Sequence, residues 1–491
     1  MNPTAEQRAV IQYTGHHLVV KAYAGCGKTS TLVAYAKHHS QLSILYLAYN
    51  RTVRDEGVEK FPNNVTCKTS HQLAWPQFGR HYQHKLGNLR LTDAATVLRS
   101  RNWATVREAV AVLNGFLSSA DPVIDLSHVQ AGLSEARLLS AEAAQVERLI
   151  QAAQVLWSAM TDPTHRLPCP HDAYLKLFQL SAPTLAYDVI LFDEAQDSNP
   201  VTAALLAGQA SRKVFVGDQW QQIYRWRGAE NALDQALEQG AEVMYLTHSF
   251  RFGPMIAGVT NAILRQLGET RPVAGCGARD RVLTSLPLNG GRHTVLNRTV
   301  AGVITTAIDA ITAGLRVYWN GGIEAYQLAD LEDVYCLKVG RKAEIRNKRL
   351  LGPFRDYEEF VEAAEASEDA EMKRMIRIVN AHGDIPKLIA ALRRNSTDDA
   401  AEADLSVSTC HRAKGLEWDV VLLDEDFPDL FDDDSISPQQ RADELNLLYV
   451  AATRARKVLV INSLTQKIIL RSHAQAQQAS IKGTHPGACA F

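Results

Sequence analysis

Residues 17–29 read HLVVKAYAGCGKT. The apolar run at its start has the length and composition of a strand buried on both faces, and it passes directly into a Gly-rich turn. The next segment, TSTLVAYAKHH, is compatible with a helix. A strand, then Ala24, Gly25, Cys26 and Gly27, then Lys28, Thr29 and Ser30 at a helix start is an arrangement that cradles phosphate. Backbone N–H groups and the helix N-terminus face the anion, Lys28 adds a point charge, and the Thr29 hydroxyl can ligate Mg²⁺. Ala22 stands where the pattern G-x-x-x-x-G-K-[ST] has its first glycine, so a strict pattern search would miss the loop.

Two further apolar runs end in polar residues, LSILYLAYN (42–50) and YDVILFDEAQD (187–197). Alternating with helical segments, such runs predict buried parallel strands of an α/β sheet. Residues 76–184 have helical texture, as in AEAAQVERLIQAAQVLWSAM (141–160), and read as an insertion into this first domain, 1–75 with 185–241. A second strand set follows: EVMYLTHSF (242–250), RHTVLNRT (292–299), ADLSVSTCH (403–411), WDVVLLDED (418–426) and KVLVINS (457–463). It predicts a second α/β domain over 242–337 and 403–465, with a shorter charged insertion at 338–402. Residues 466–491 lose apolar periodicity after about 471 and read as a loose tail.

The bulk numbers set the class. A chain of 491 residues is too long for one core. Its seven cysteines are scattered and form no C-x-x-C pair, which speaks for free thiols in a reducing compartment. The N-terminus has no basic-then-apolar signal pattern, and no window supplies a membrane span, so the expected setting is cytoplasmic (nucleoid-associated) or nuclear. Lys+Arg 52 against Asp+Glu 54 argues against a uniformly basic binder and leaves room for a local basic groove.

LFDEAQD complements the phosphate loop. Asp193 at a strand end can hold Mg²⁺, and Glu194 can deprotonate a water for in-line attack on a γ-phosphate. Two carboxylates at a strand end can instead cap the next helix, a reading that the phosphate loop upstream disfavours. Arg251 in SFRFG and Arg454 in YVAATRARK are cations of the kind that stabilise a transferred phosphoryl group, although surface arginines are common. The stretch VFVGDQWQQIYRWRGA (214–229) sets a Gly-Asp turn beside Tyr224 and Trp226, with Arg225 and Arg227 flanking the tryptophan. Lone buried charges are costly, which favours a groove over a core position for these aromatics. The acidic run Asp424–Asp434 reads as a solvated loop.

In order along the chain, TAEQRAV, AYAGCGKT, LFDEAQD, VGDQWQQIYRWRGA, LTHSFRF, STCHRAKGLEWDVV and LLYVAATRA resemble the motifs of superfamily-1, UvrD/Rep/PcrA-like DNA helicases. LYLAYNRTV, FPNNVTCKTSHQLAW, HDAYLKLFQLSAPTL and SFRFG are similar to the F-box DNA helicase branch of that family. The resemblance runs from Thr4 to about Ser463. It implies two RecA-like P-loop NTPase domains with parallel sheets, each carrying a mainly helical insertion. It implies ATP and Mg²⁺ as cofactors, with Gln7 reading the adenine, Phe250 stacking on it and Glu417 facing the ribose. By the same carry-over Lys28, Thr29 and Asp193 hold phosphate and Mg²⁺. Glu194 is then the base, Gln221 senses the γ-phosphate, and Arg251 and Arg454 reach it from the second domain.

Tyr49, His71, Tyr224, Trp226, Arg227 and His411 match positions along the single-strand track. The implied activity is ATP-dependent 3′→5′ movement on single-stranded DNA with unwinding of 3′-tailed duplex, in repair, recombination or replication. A recombinase or replication protein is the implied partner, and a monomer the implied state. No F-box segment precedes Thr4, so an adaptor role is not expected. The short 338–402 insertion raises an alternative, a protein-displacing translocase with weak unwinding. An RNA substrate or a non-catalytic nucleotide-gated scaffold are the remaining readings. Trp418 and Cys26 replace a more usual Phe and Ser or Thr.

Overall fold

The computed structural model describes residues 2–133, 138, 142–225, 231–286, 291–352, 354–366, 370–432 and 436–483. The chain divides into two compact units, Met1–Leu246 and Thr247–Phe491. Among the described residues no helix is long and apolar enough to cross a membrane.

The first unit is built on six strands: β1 (His17–Ala22), β2 (Ile44–Ala48), β3 (Val65–Thr69), β4 (Val189–Phe192), β5 (Arg212–Gly217) and β6 (Glu242–Leu246). They lie in the order β3-β2-β4-β5-β1-β6, and every pairing is parallel. Parallel strands need both faces covered. Accordingly β2 and β4 are buried at every position, and Val19, Leu45, Ile190 and Phe215 pack on helices Pro200–Ala207 and Ala232–Glu238. Because all strands run the same way, the segments following β1, β2, β4 and β5 emerge on one edge of the sheet. That edge collects the phosphate loop, Tyr49, Asp193 and Asp218, as is usual for ligand sites of parallel sheets.

The strand at 242–246 corrects the expected domain boundary. It pairs with β1, Leu18 opposite Glu242 through Ala22 opposite Leu246, and so completes the first sheet. From sequence, EVMYLTHSF (242–250) reads as the first strand of the second set. The physical decision is made by the otherwise open edge of β1, which takes up the nearest strand-forming segment.

Between β3 and β4 the expected helical insertion is present, with helices Leu91–Leu98, Trp103–Leu117, Leu126–Gly132, Ala143–Thr161 and His171–Leu180 around one apolar cluster. That cluster begins at Ala74 and takes in Val201 and Leu205, so the insertion shares its core with the domain that carries it. Lys176 is fully buried inside it, donating to the carbonyls of Ser119 (2.8 Å) and Asp121 (2.5 Å) just past the end of helix Trp103–Leu117. Burial pushes its pKa down to about 8, with the Asp121 charge opposing. The unfolded chain then holds a proton that the folded one has released between pH 8 and the ordinary lysine value. Stability therefore rises with pH across that window. Comparing thermal midpoints of the unaltered protein and Lys176→Met from pH 7 to 10, the unaltered protein should gain relative to the variant above pH 8.

The second unit holds a short parallel pair, β7 (His248–Ser249) and β8 (Ala274–Gly275). Its main sheet comprises β9 (Arg281–Leu283), β10 (His293–Asn297), β11 (Val317–Trp319), β12 (Ser396–Thr397), β13 (Leu405–Thr409), β14 (Trp418–Leu423) and β15 (Ala455–Val460). The order is β12-β11-β13-β10-β14-β15-β9, again all parallel. The 338–402 insertion forms short helices, among them Tyr357–Ala366, Ala370–Ala381 and Ile385–Arg394. Leu351, Phe360, Met375 and Ile385 share a single cluster with Val295, Val303, Val317 and Leu405 of the sheet and its flanking helix.

Two expectations change here. Ser463–Gly483 is a helix, and Leu464, Ile468 and Ser472 are buried at i, i+4, i+8, facing helix Pro254–Gln266. Arg265 donates to the Ser472 hydroxyl at 2.9 Å and Gln266 to Gln475 at 3.1 Å. A buried serine continues the stripe where an apolar residue was sought, which is why the periodicity faded in the sequence. Residues 484–491 lie outside the described residues. In the acidic run, Asp426 accepts from the backbone N–H of Arg298 (2.6 Å) and Thr299 (2.8 Å) ahead of helix Val300–Thr312, and Asp429 pairs with Lys467. These carboxylates cap and tie elements rather than line a solvated loop.

Candidate nucleotide and nucleic-acid site

Gly25 and Gly27 both have φ of 74°, a left-handed conformation that an L side chain resists, and Gly27 caps helix Lys28–His38. Ala22 is the last residue of β1, paired in the sheet, so the position needs no glycine. Cys26 is buried, and burial together with the Asp218 charge pushes its thiol well above the usual range, leaving it inert. Thr29 is half-buried and Ser30 exposed. Gln7 lies against the loop: its amide nitrogen donates to the Cys26 carbonyl at 3.4 Å, and its amide oxygen accepts from Thr4 N at 3.0 Å in a capping box.

Lys28 Nζ lies 2.9 Å from Glu194 Oε1. Burial works against the lysine charge, but Glu194, Asp218 and Asp193 around it prevail and hold its pKa above the ordinary value. Asp193 is buried at the end of β4. Its Oδ2 accepts from the Tyr46 hydroxyl at 2.7 Å and its Oδ1 from Glu194 N at 2.9 Å. Burial and the neighbouring Glu194 raise its pKa, with Lys28 opposing. Glu194 has φ of 53°, unusual for a residue with a side chain. Such strain, of order 1–3 kcal/mol, persists only where surrounding contacts over-determine it.

Those contacts include Gln196, fully buried, whose amide nitrogen donates to Glu194 Oε2 (2.5 Å) and Asp197 Oδ2 (3.1 Å). Its amide oxygen accepts from Asp218 N at 3.1 Å. A Cβ on Gly217 would stand 2.2 Å from that oxygen, so the close approach requires glycine. Asp218 in turn accepts from Gln221 Nε2 at 2.6 Å. An unbroken polar chain thus runs Lys28–Glu194–Gln196–Asp218–Gln221. Three residues beyond Gln221, the Tyr224 ring stacks near that of Tyr49, centroids 6.4 Å apart and planes 13° from parallel. Tyr49 is 44% exposed although aromatic. His71 is half-buried on the same unit, 3.2 Å from Asp172 and edge-on to Tyr174. Trp226 and Arg227 lie outside the described residues.

In the second unit Arg251 donates through Nε to Glu417 (2.8 Å) and through a terminal nitrogen to the Thr453 carbonyl (3.0 Å). Arg454 is buried, donating to the carbonyls of Val450 (2.8 Å) and Leu416 (3.3 Å) and to the Thr453 hydroxyl (3.0 Å). Burial raises the Glu417 carboxyl, but Arg251 and Arg456 outweigh it and hold the group below its usual value. Arg251, Glu417 and Arg454 therefore cluster around Thr453 at the amino ends of β14 and β15, with half-buried Phe250 next in sequence to Arg251. His411 sits at the carboxyl end of β13, half-buried. Tyr46, Gln196, Asp218 and Thr453 had no assigned role from sequence. All four lie within the motif stretches, Tyr46 within LYLAYNRTV, but no spacing rule distinguishes them from their neighbours.

A parallel sheet with a phosphate loop after its first strand and paired carboxylates after a neighbouring one is a RecA-like P-loop NTPase domain, and a second parallel sheet accompanies it here. Residues 176–241 match the UvrD/REP helicase N-terminal domain and residues 337–466 the UvrD-like helicase C-terminal domain. The chain is 32% identical to F-box DNA helicase 1 of Gallus gallus, over 95% of this chain and 49% of that protein. It is 30% identical to F-box DNA helicase protein 1 of Schizosaccharomyces pombe, over 95% and 58% respectively. DNA helicase IV of Escherichia coli is 28% identical over 54% of this chain and 47% of its own length. The chain belongs to the UvrD/Rep-like superfamily-1 helicases. It spans about half the length of the F-box helicases it matches.

Proposed function

We propose that this chain is an ATP-dependent DNA helicase or translocase that moves 3′→5′ on single-stranded DNA. The observation that carries the reading is the polar chain from Lys28 to Gln221, which stops three residues short of the parallel Tyr49–Tyr224 pair. The hydrolytic and stacking groups thus share one rigid edge of one sheet, so a change at the phosphate end is transmitted through a few hydrogen bonds.

In this reading the loop N–H groups and Lys28 bind the phosphates of ATP. The hard oxygen donors of Thr29 and Asp193 suit Mg²⁺, which when bound neutralises phosphate charge. Glu194, aimed by Lys28 and Gln196, takes the proton from the attacking water. Gln221 responds to the γ-phosphate, and Arg251 and Arg454 stabilise charge on the transferred group. Tyr49 and Tyr224, with His71, Trp226, Arg227 and His411, grip bases by stacking, which tolerates any sequence.

The test is ATP hydrolysis titrated with single-stranded DNA and, separately, RNA. Stimulation by DNA is expected, and hydrolysis indifferent to any single strand would refute the translocase reading. For Tyr224→Ala, half-maximal stimulation should require roughly five- to a hundredfold more DNA, the worth of one stacked base.

The shared core of the 338–402 insertion favours a second reading, a translocase that displaces bound protein and unwinds poorly. An insertion fused to its domain core is less suited to swing onto duplex than a separately hinged one. Comparing unwinding of a 3′-tailed duplex with streptavidin displacement from a 5′-biotinylated strand separates the two, since 3′→5′ movement runs toward the 5′ end.

A further inference from the structure

Tyr46 lies in the middle of β2, fully buried, three residues before the exposed Tyr49. Its register partner on β4 is Leu191, two residues before Asp193. Strand residues alternate in direction, and Leu45 and Leu47 point into the apolar cluster beneath the sheet while Tyr46 takes the other face. There its ring lies 4.5 Å from that of Phe61, and the Gly57 position approaches it so closely that an added Cβ would stand 3.0 Å from the ring. The hydroxyl is thereby delivered to Asp193 Oδ2 at 2.7 Å. The other carboxylate oxygen accepts from the backbone of Glu194. With one donor on each oxygen, the buried carboxylate has a single orientation.

We propose that Tyr46 is a positioning residue for the Mg²⁺-holding carboxylate, its hydroxyl fixing the orientation of Asp193 from the neighbouring strand. A carboxylate at a metal site must present its lone pair in one direction, and partners outside the ligand set commonly supply that order. The hydrogen bond is charge-assisted and buried, the strong kind. No feature of the phosphate loop requires a tyrosine in β2, and a phenylalanine would fill the same space. The inference rests on the nucleotide reading above and adds to it a residue that touches neither nucleotide nor metal.

The experiment uses the full chain and a fluorescent ADP, titrated with Mg²⁺ while binding is followed by fluorescence. Tyr46→Phe should raise the Mg²⁺ concentration for half-maximal enhancement about tenfold, the effect expected of losing one outer partner of a metal ligand. ADP affinity in EDTA should stay unchanged. Tyr82→Phe, which removes a hydroxyl bonded to the Thr161 carbonyl in the helical insertion, is the control and should shift neither value. Gly57→Ala keeps the hydroxyl and suits its helix but crowds the ring, so a smaller rise in the same direction is expected; it decides the matter if Tyr46→Phe folds poorly. An unchanged Mg²⁺ requirement, or an equal loss of affinity in EDTA, overturns the positioning role. Absence of Mg²⁺-dependent binding in the unaltered protein would instead overturn the nucleotide reading itself.

Discussion

Lys28→Ala is expected to lower ATP turnover on the order of a thousandfold, as for removal of a preorganised charge at a reacting group. Two losses combine. The phosphates lose their point charge, and the carboxylates of Asp193, Glu194 and Asp218 lose the cation that balances them. Glu194 then no longer has its 2.9 Å partner and is free to relax out of its strained backbone conformation. Removing one member of a partly buried pair leaves a poorly compensated charge, so a lower melting temperature should accompany the loss of activity. Lys28→Arg should not restore turnover, because a planar guanidinium cannot replace a compact ammonium in a tight loop. Steady-state phosphate release and fluorescent-nucleotide binding measure both effects. Retained turnover in the alanine variant would remove Lys28 from the site.

Glu194→Gln separates chemistry from binding. Glutamine keeps the shape and can still accept from Gln196, but it cannot take a proton from water. Turnover should fall about 10²–10⁴-fold, the usual contribution of a general base. ATP affinity should hold or improve, since a neutral amide no longer repels the γ-phosphate. Stopped-flow nucleotide binding beside single-turnover hydrolysis reads the two quantities. Equal losses in binding and turnover would mean that Glu194 supports the loop instead of activating water. The contrast with Lys28→Ala, which loses both, makes the pair of variants diagnostic.

Much of the local chemistry is legible in the sequence. The phosphate loop announces itself because its chemistry demands glycines, lysine and a hydroxyl within a few consecutive residues. Asp193 and Glu194 are equally local. Strands β2 and β4, buried at every position, show as unbroken apolar runs, since parallel strands are covered on both faces, whereas the equally buried β13 (LSVST) alternates with hydroxyls and is less plain. Other elements left no such trace. The strand at 242–246 joins the first sheet only because β1 has a free edge, a fact about a segment more than 200 residues earlier. The helix from Ser463 looked like a tail because one of its buried positions is a serine held by Arg265.

What one-dimensional order carries here is local chemistry: a phosphate loop, a candidate metal carboxylate and base, two candidate arginines, and the aromatics that follow Gln221. Each of these depends on neighbours within a few residues, and a linear motif preserves that proximity. What holds those groups still is set by long-range packing. Tyr46 meets Asp193 across 147 positions, and Arg251 meets Glu417 across 166. The parallel register of separate strands makes the first encounter, and the amino ends of β14 and β15 make the second. Hydrogen bonds between such distant residues carry no periodicity or spacing, so no stretch of sequence could display them.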